Sequence, residues 1–197
     1  MTHRLNPLTS FVAAAVLALS ASTLCAQPAE LEGVKLAPTV QVASAPLVLN
    51  GAGLRTRAIF KVYVAALYGP QKATDAAALL AQKGPRRMAI TMLRSADAET
   101  FAGALNDGMR DNHTEAQLAA LKPQTDAFMG TLKQTGEVKK GDVIHLDFDP
   151  ATGTQVSING QAKGAAIAGA DFYTAVLRIW LGEKPADGGL KKGLLGG

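Results

Sequence analysis

Residues 54–68 alternate without a break. Leu54, Thr56, Ala58, Phe60, Val62, Val64, Ala66 and Tyr68 fall on one side of an extended backbone. Arg55, Arg57, Ile59, Lys61, Tyr63, Ala65 and Leu67 fall on the other. A period of two, rich in β-branched and aromatic residues, predicts one long strand. It is entered from a turn at Asn50-Gly51-Ala52-Gly53 and stopped by Gly69-Pro70. Shorter runs of the same kind predict strands over 34–42, 46–50, 86–94, 142–149, 153–159 and 161–167. Asn159-Gly160, between the last two, is a two-residue hairpin signal. Helical spacing predicts helices over 75–83, 97–109, 114–134 and 171–181, followed by a Lys-rich tail. Thr114 with Gln117 three residues on makes a capping box. Leu118, Leu121, Phe128 and Leu132 give that helix its apolar face, and Pro123 must bend or split it. The order of strands, helices, strands and helix predicts an α+β fold with a mostly antiparallel sheet.

The N-terminus follows neither pattern. Arg4 precedes an apolar run over 11–19, too short for the roughly 20 residues that span a bilayer, and Ala26 precedes the polar Gln27-Pro28. These features predict a secretory signal peptide over 1–26 and an exported domain over 27–197, periplasmic or secreted, with no stable membrane insertion after cleavage. Lipidation at Cys25 is the alternative, and Leu24 before it is larger than that processing prefers.

Composition narrows the chemistry. The chain of 197 residues is 48% hydrophobic and 18% charged, which fits one domain. Its net charge of +4 comes from scattered basic residues not interleaved with aromatics, so nucleic acid is not an expected partner. One cysteine and three separated histidines exclude a disulfide framework and argue against a zinc site. Gly51-Ala52-Gly53 lacks the third glycine and the following helix of a dinucleotide loop. No cofactor and no metal are expected. The face that carries Arg55, Arg57, Lys61 and Tyr63 holds more cations than solubility needs. It reads either as a solvated face or as a pocket for an anionic, partly apolar ligand, with arginine gripping the anion and a tyrosine hydroxyl assisting.

Leu49-Asn-Gly-Ala-Gly-Leu-Arg-Thr-Arg-Ala-Ile-Phe-Lys-Val-Tyr-Val-Ala-Ala-Leu-Tyr68 resembles the signature of the chalcone isomerase-like family. The stretch Asp171-Phe-Tyr-Thr-Ala-Val-Leu-Arg-Ile-Trp-Leu-Gly-Glu-Lys-Pro185 resembles the family's C-terminal helix. The resemblance implies an open-faced β-sandwich, a large antiparallel sheet with helices packed on one face. It also implies candidate residues. Arg55 matches the arginine that stabilises an enolate in the enzymes, and Tyr63 falls where they carry a threonine. Asn106 is the one match to their helical Tyr, Lys and Asn set, and Ile179 stands at their last polar position. Arg55 with Tyr63 is similar to the pair that holds a carboxylate in the fatty-acid-binding branch. The expected ligand-binding residues are therefore Arg55, Tyr63, Lys61 and Asn106, with Arg55 catalytic only if the protein is an enzyme. The expected function is binding of a small anionic amphiphile such as a fatty acid, in a pocket between sheet and helices. The rivals are a chalcone-flavanone type isomerase, an intramolecular lyase, on an unknown substrate, and an envelope structural or partner-binding protein.

Overall fold

The computed structural model describes Met1 and residues 29–197. Apart from Met1, the expected leader over 1–26 lies outside the described residues. The elements in chain order are β1 (Ala29–Leu31), β2 (Val34–Leu36), β3 (Thr39–Val42), β4 (Ala45–Arg57), β5 (Phe60–Gly69), α1 (Ala76–Ala81) and β6 (Arg86–Met92). There follow α2 (Ala98–Asp111), α3 (Glu115–Ala120), α4 (Lys122–Lys133), β7 (Val143–Asp149), β8 (Gly153–Ile158), β9 (Gln161–Ile167), α5 (Ala170–Leu181) and α6 (Gly188–Leu194). Strands β3 to β9 form one seven-stranded sheet in sequence order, each antiparallel to its neighbours. The β1–β2 hairpin pairs separately.

Two apolar clusters explain the layers. Tyr63, Ala65 and Leu67 of β5 join Met88, Ile90, Ile144, Leu146 and the helices in the main core. Val64, Ala66 and Tyr68 point the other way, into a smaller cluster with Leu36, Val42 and Leu47. Strand β5 is thus covered on both sides, which is why its sequence is almost continuously apolar. Helix α5 runs through the main core, with Phe172, Tyr173, Val176 and Trp180 fully buried. The adjacent basic pair Arg86-Arg87 is divided by the pleat. Arg86 is buried against the stacked rings of Phe148 and Tyr173, and Arg87 faces outward to Asp147.

Several sequence expectations hold. The Thr114–Gln117 capping box is present, Pro123 splits that helix into α3 and α4, and Asn159-Gly160 turns the β8–β9 hairpin. Others are corrected. The strand expected over 54–68 is two strands: the chain reverses at Ala58-Ile59, and Arg57 pairs with Phe60. Ala58 takes a left-handed conformation there, φ 52°, without the glycine or asparagine that would mark such a turn. Periodicity therefore ran straight through it. Asn50-Gly51-Ala52-Gly53 is not a turn but the middle of β4. The strand expected over 34–42 breaks into β2 and β3. The tail contains α6, capped by Asp187, whose carboxylate accepts from Leu190 N–H at 3.0 Å.

The glycines of β4 and helix α6 account for each other. A Cβ on Gly51 would lie 2.3 Å from the Gly193 carbonyl oxygen, and one on Gly53 2.5 Å from that of Leu190. Only glycine lets the backbone of α6 lie directly on the strand. Asn50 fastens the same junction, donating to the Leu194 carbonyl at 2.7 Å and accepting from Ala73 N–H at 2.7 Å.

Candidate functional site

The expected pair is brought together, though not by one strand. Arg55 on β4 and Tyr63 on β5 are register partners across the hairpin, so their side chains share the helix-facing side. Both groups are already engaged. Tyr63 is 6% exposed, and its hydroxyl accepts from Trp180 Nε1 at 2.9 Å. Burial pushes that hydroxyl up to about 12, against the opposing pull of the Trp180 N–H and the Arg55 charge. Arg55 donates to the Thr56 carbonyl at 3.0 Å and lies 3.7 Å from the Asp187 carboxylate. The other oxygen contacts of Asp187 are backbone N–H groups, including that of Thr56 at 3.1 Å. Burial acts to raise this carboxyl, but those donors and Arg55 outweigh it and hold it below its ordinary value. The place beside Arg55 that suits an anion is filled by the chain's own carboxylate, and Tyr63, Ile179 and Trp180, on the helix-facing side where the pocket was expected, are buried.

Lys61 does not join the pair. The register advances one residue on β4, from Arg55 to Thr56, while β5 advances two, from Tyr63 to Lys61. This bulge at Val62 turns Lys61 to the opposite side, where its Nζ meets Glu32 at 2.6 Å. Asn106 is half-buried on α2, and no hydrogen bond ties it to Arg55 or Tyr63. Ile179 is buried at 1% exposure against Gly108. Phe172 and Trp180 are core residues, and Arg94 is exposed with its guanidinium 4.5 Å from the Phe60 ring centre.

On the other side of the sheet lies an open cleft of about 570 Å³, between the β1–β2 hairpin and the outward face of β5, β6 and β7. This volume is within the roughly 300–1,000 Å³ of small-molecule sites. Its floor is built from three register rows. Tyr68, Arg87 and Asp147 form the first, Ala66, Ala89 and His145 the second, and Val64, Thr91 and Val143 the third. The paired alanines of the middle row leave the floor low, and Val34, Leu36, Val40 and Leu93 are apolar walls. Polarity along this floor therefore falls from the first row to the third, and Glu32 also lines the cleft.

The charged end is organised by Asp147. Arg87 grips it with a two-pronged contact, Nε and Nη2 each 2.5 Å from a carboxylate oxygen. That bond holds the guanidinium more firmly charged than an ordinary arginine. Tyr68 is pushed up by burial and stays protonated, and its hydroxyl makes no hydrogen bond among the described residues. His145 is pushed down by burial and by Arg87, which keeps the imidazole neutral near pH 7. Lys35 and Lys140 stand elsewhere around the cleft. A cation held by an aspartate, a free hydroxyl donor and a neutral imidazole beside an apolar trough can receive an anionic head with an apolar body. Neither Arg87 nor His145 is marked by any motif in the sequence; the pairing register alone sets Arg87 beside Tyr68 and His145 in the next row.

A family model described as chalcone isomerase-like matches residues 28–196. Among curated proteins none matches this sequence. Among solved structures, a fatty-acid binding protein of Arabidopsis thaliana is similar with a TM-score of 0.62 and 14% identity, covering 83% of this chain and 92% of that one.

Proposed function

The chain belongs to the chalcone isomerase-like family, and on that premise we propose that it binds a small anionic amphiphile of the fatty-acid class in the open-face cleft. The observation that carries the reading is the row gradient: Tyr68 and Arg87 at one end, an alanine-floored trough, then Val64 and Val143. A carboxylate would take the free edge of Arg87 and the Tyr68 hydroxyl, and the alkyl chain would lie along Ala66 and Ala89. The structural similarity to a protein described as fatty-acid binding supports the ligand class. We place this activity outside the cytoplasm, after loss of residues 1–26. N-terminal sequencing of the exported protein that began elsewhere than Gln27 would correct the processing site.

Calorimetric titration with saturated fatty acids of increasing chain length tests the binding. A charge-assisted hydrogen bond contributes about 1.5–3 kcal/mol, so Arg87→Ala should weaken binding about 10- to 150-fold while Arg55→Ala leaves it unchanged. A second reading places the head group at Arg55, because that guanidinium already faces a carboxylate, that of Asp187. It predicts the reverse ranking of the two variants. Wild-type protein that binds no fatty acid would sink both readings.

A further inference from the structure

Apart from Met1, the large apolar side chains left exposed among the described residues are two neighbours, Ile59 at 87% and Phe60 at 52%. Both sit at the tip of the β4–β5 hairpin, where the chain turns in two residues. Single apolar residues on a surface are ordinary. An adjacent pair at a projecting tip, with cations on several sides, is not. Arg57 is the register partner of Phe60 and is exposed. Arg94 lies over the Phe60 ring, and Lys61 follows Phe60 along β5. Lys140 stands close behind, its backbone N–H 3.2 Å from the hydroxyl of Ser95. The acid in contact with this cluster, Glu32, is taken by Lys61. Arg57, Arg94 and Lys140 make no ion pair among the described residues.

We propose that this hairpin tip docks the protein on an anionic lipid surface. Ile59 and Phe60 enter the headgroup region, and Arg57 and Arg94 meet lipid phosphates. Apolar side chains surrounded by basic ones suit the boundary between acyl chains and anionic headgroups. A protein partner is a poorer fit, because two side chains are far short of the roughly 800 Å² per side of a stable interface. A lipid surface requires no matching shape. The tip also stands at one end of the open-face cleft: Lys61 pairs with Glu32, and Leu93, which precedes Arg94, lines the cleft with Lys140. Docking there brings the cleft toward the lipid phase from which an amphiphile would come.

Fluorescence of Ile59→Trp in the full chain tests this locally. Trp180, the native tryptophan, is fully buried and gives a constant background. With phosphatidylglycerol-containing vesicles the added indole should shift to the blue and be quenched by brominated acyl chains, and high salt should reverse both effects. Pure phosphatidylcholine vesicles should give little response. Each cation near an anionic surface contributes about fivefold to partitioning, so Arg57→Gln with Arg94→Gln should lower it about 25-fold. An unshifted indole on anionic vesicles overturns the proposal, even if the chain sediments with them through residues 11–19. Equal quenching on neutral and anionic vesicles overturns the role of the cations. A blue shift that grows with protein concentration in the absence of lipid would make the tip a self-association surface instead.

Discussion

Strand β5 carries the same chemistry on both of its faces, with opposite outcomes. Tyr63 looks toward the helices and Tyr68 toward the open side, and each has an arginine directly across the sheet, Arg55 and Arg87. Each arginine faces an aspartate, Asp187 in one case and Asp147 in the other. On the helix side, Trp180 takes the tyrosine hydroxyl and α6 brings its capping carboxylate to the arginine, so no partner is missing. On the open side no helix among the described residues covers the sheet. The Tyr68 hydroxyl has no hydrogen-bond partner among the described residues, and the β1–β2 hairpin roofs a trough instead of filling it. An arginine beside a tyrosine is therefore not a site in itself. What lies on top of the pair decides whether it holds the fold together or remains available to a ligand.

The comparison breaks most readily at Trp180. Trp180→Ala removes a fully buried indole and should cost about 3–5 kcal/mol of stability, read from urea unfolding. A loss below about 1 kcal/mol would mean that the helix side is not sealed. The two tyrosines give a matched test of the next size. Tyr63→Phe strands the buried Trp180 N–H and should cost about 1–3 kcal/mol of stability, with ligand affinity untouched. Asp187→Ala removes the cap of α6 and should cost about 0.5–2 kcal/mol. This carboxyl sits below its ordinary value of 3.8 in the folded protein, so its contribution is fully present above that value. The contribution disappears as pH falls through the lower folded value. Acid unfolding below about pH 4 should therefore be shallower in Asp187→Ala than in wild type, and parallel curves would remove Asp187 from the acid response. The smallest effect belongs to Tyr68→Phe. It should leave stability nearly unchanged and weaken fatty-acid binding by about 0.5–1.5 kcal/mol, roughly 2- to 13-fold. A stability loss with unchanged binding would place Tyr68 among the structural residues with Tyr63.

Local chemistry by itself determined much of this protein. The alternation of apolar residues, the Thr114–Gln117 box, Pro123 and Asn159-Gly160 act over a few residues, so the α+β class, most strands and the split helix were legible in the chain. The family signature led to Arg55 and Tyr63, which do meet. Tertiary structure decided the rest, because the rest depends on partners far away in sequence. Gly51 and Gly53 look like turn residues until α6, from the other end of the chain, is laid on them. The reversal at Ala58-Ile59 has no glycine or asparagine to announce it, and the bulge at Val62 that turns Lys61 away shows only in the register with β4. The cleft is the plainest case. Tyr68, Arg87 and His145 come from three strands, and none is distinctive alone. Antiparallel register puts Tyr68 beside Arg87, and sets His145 in the next row with Ala66 and Ala89. Among the described residues no helix covers that side, which leaves the grouping open.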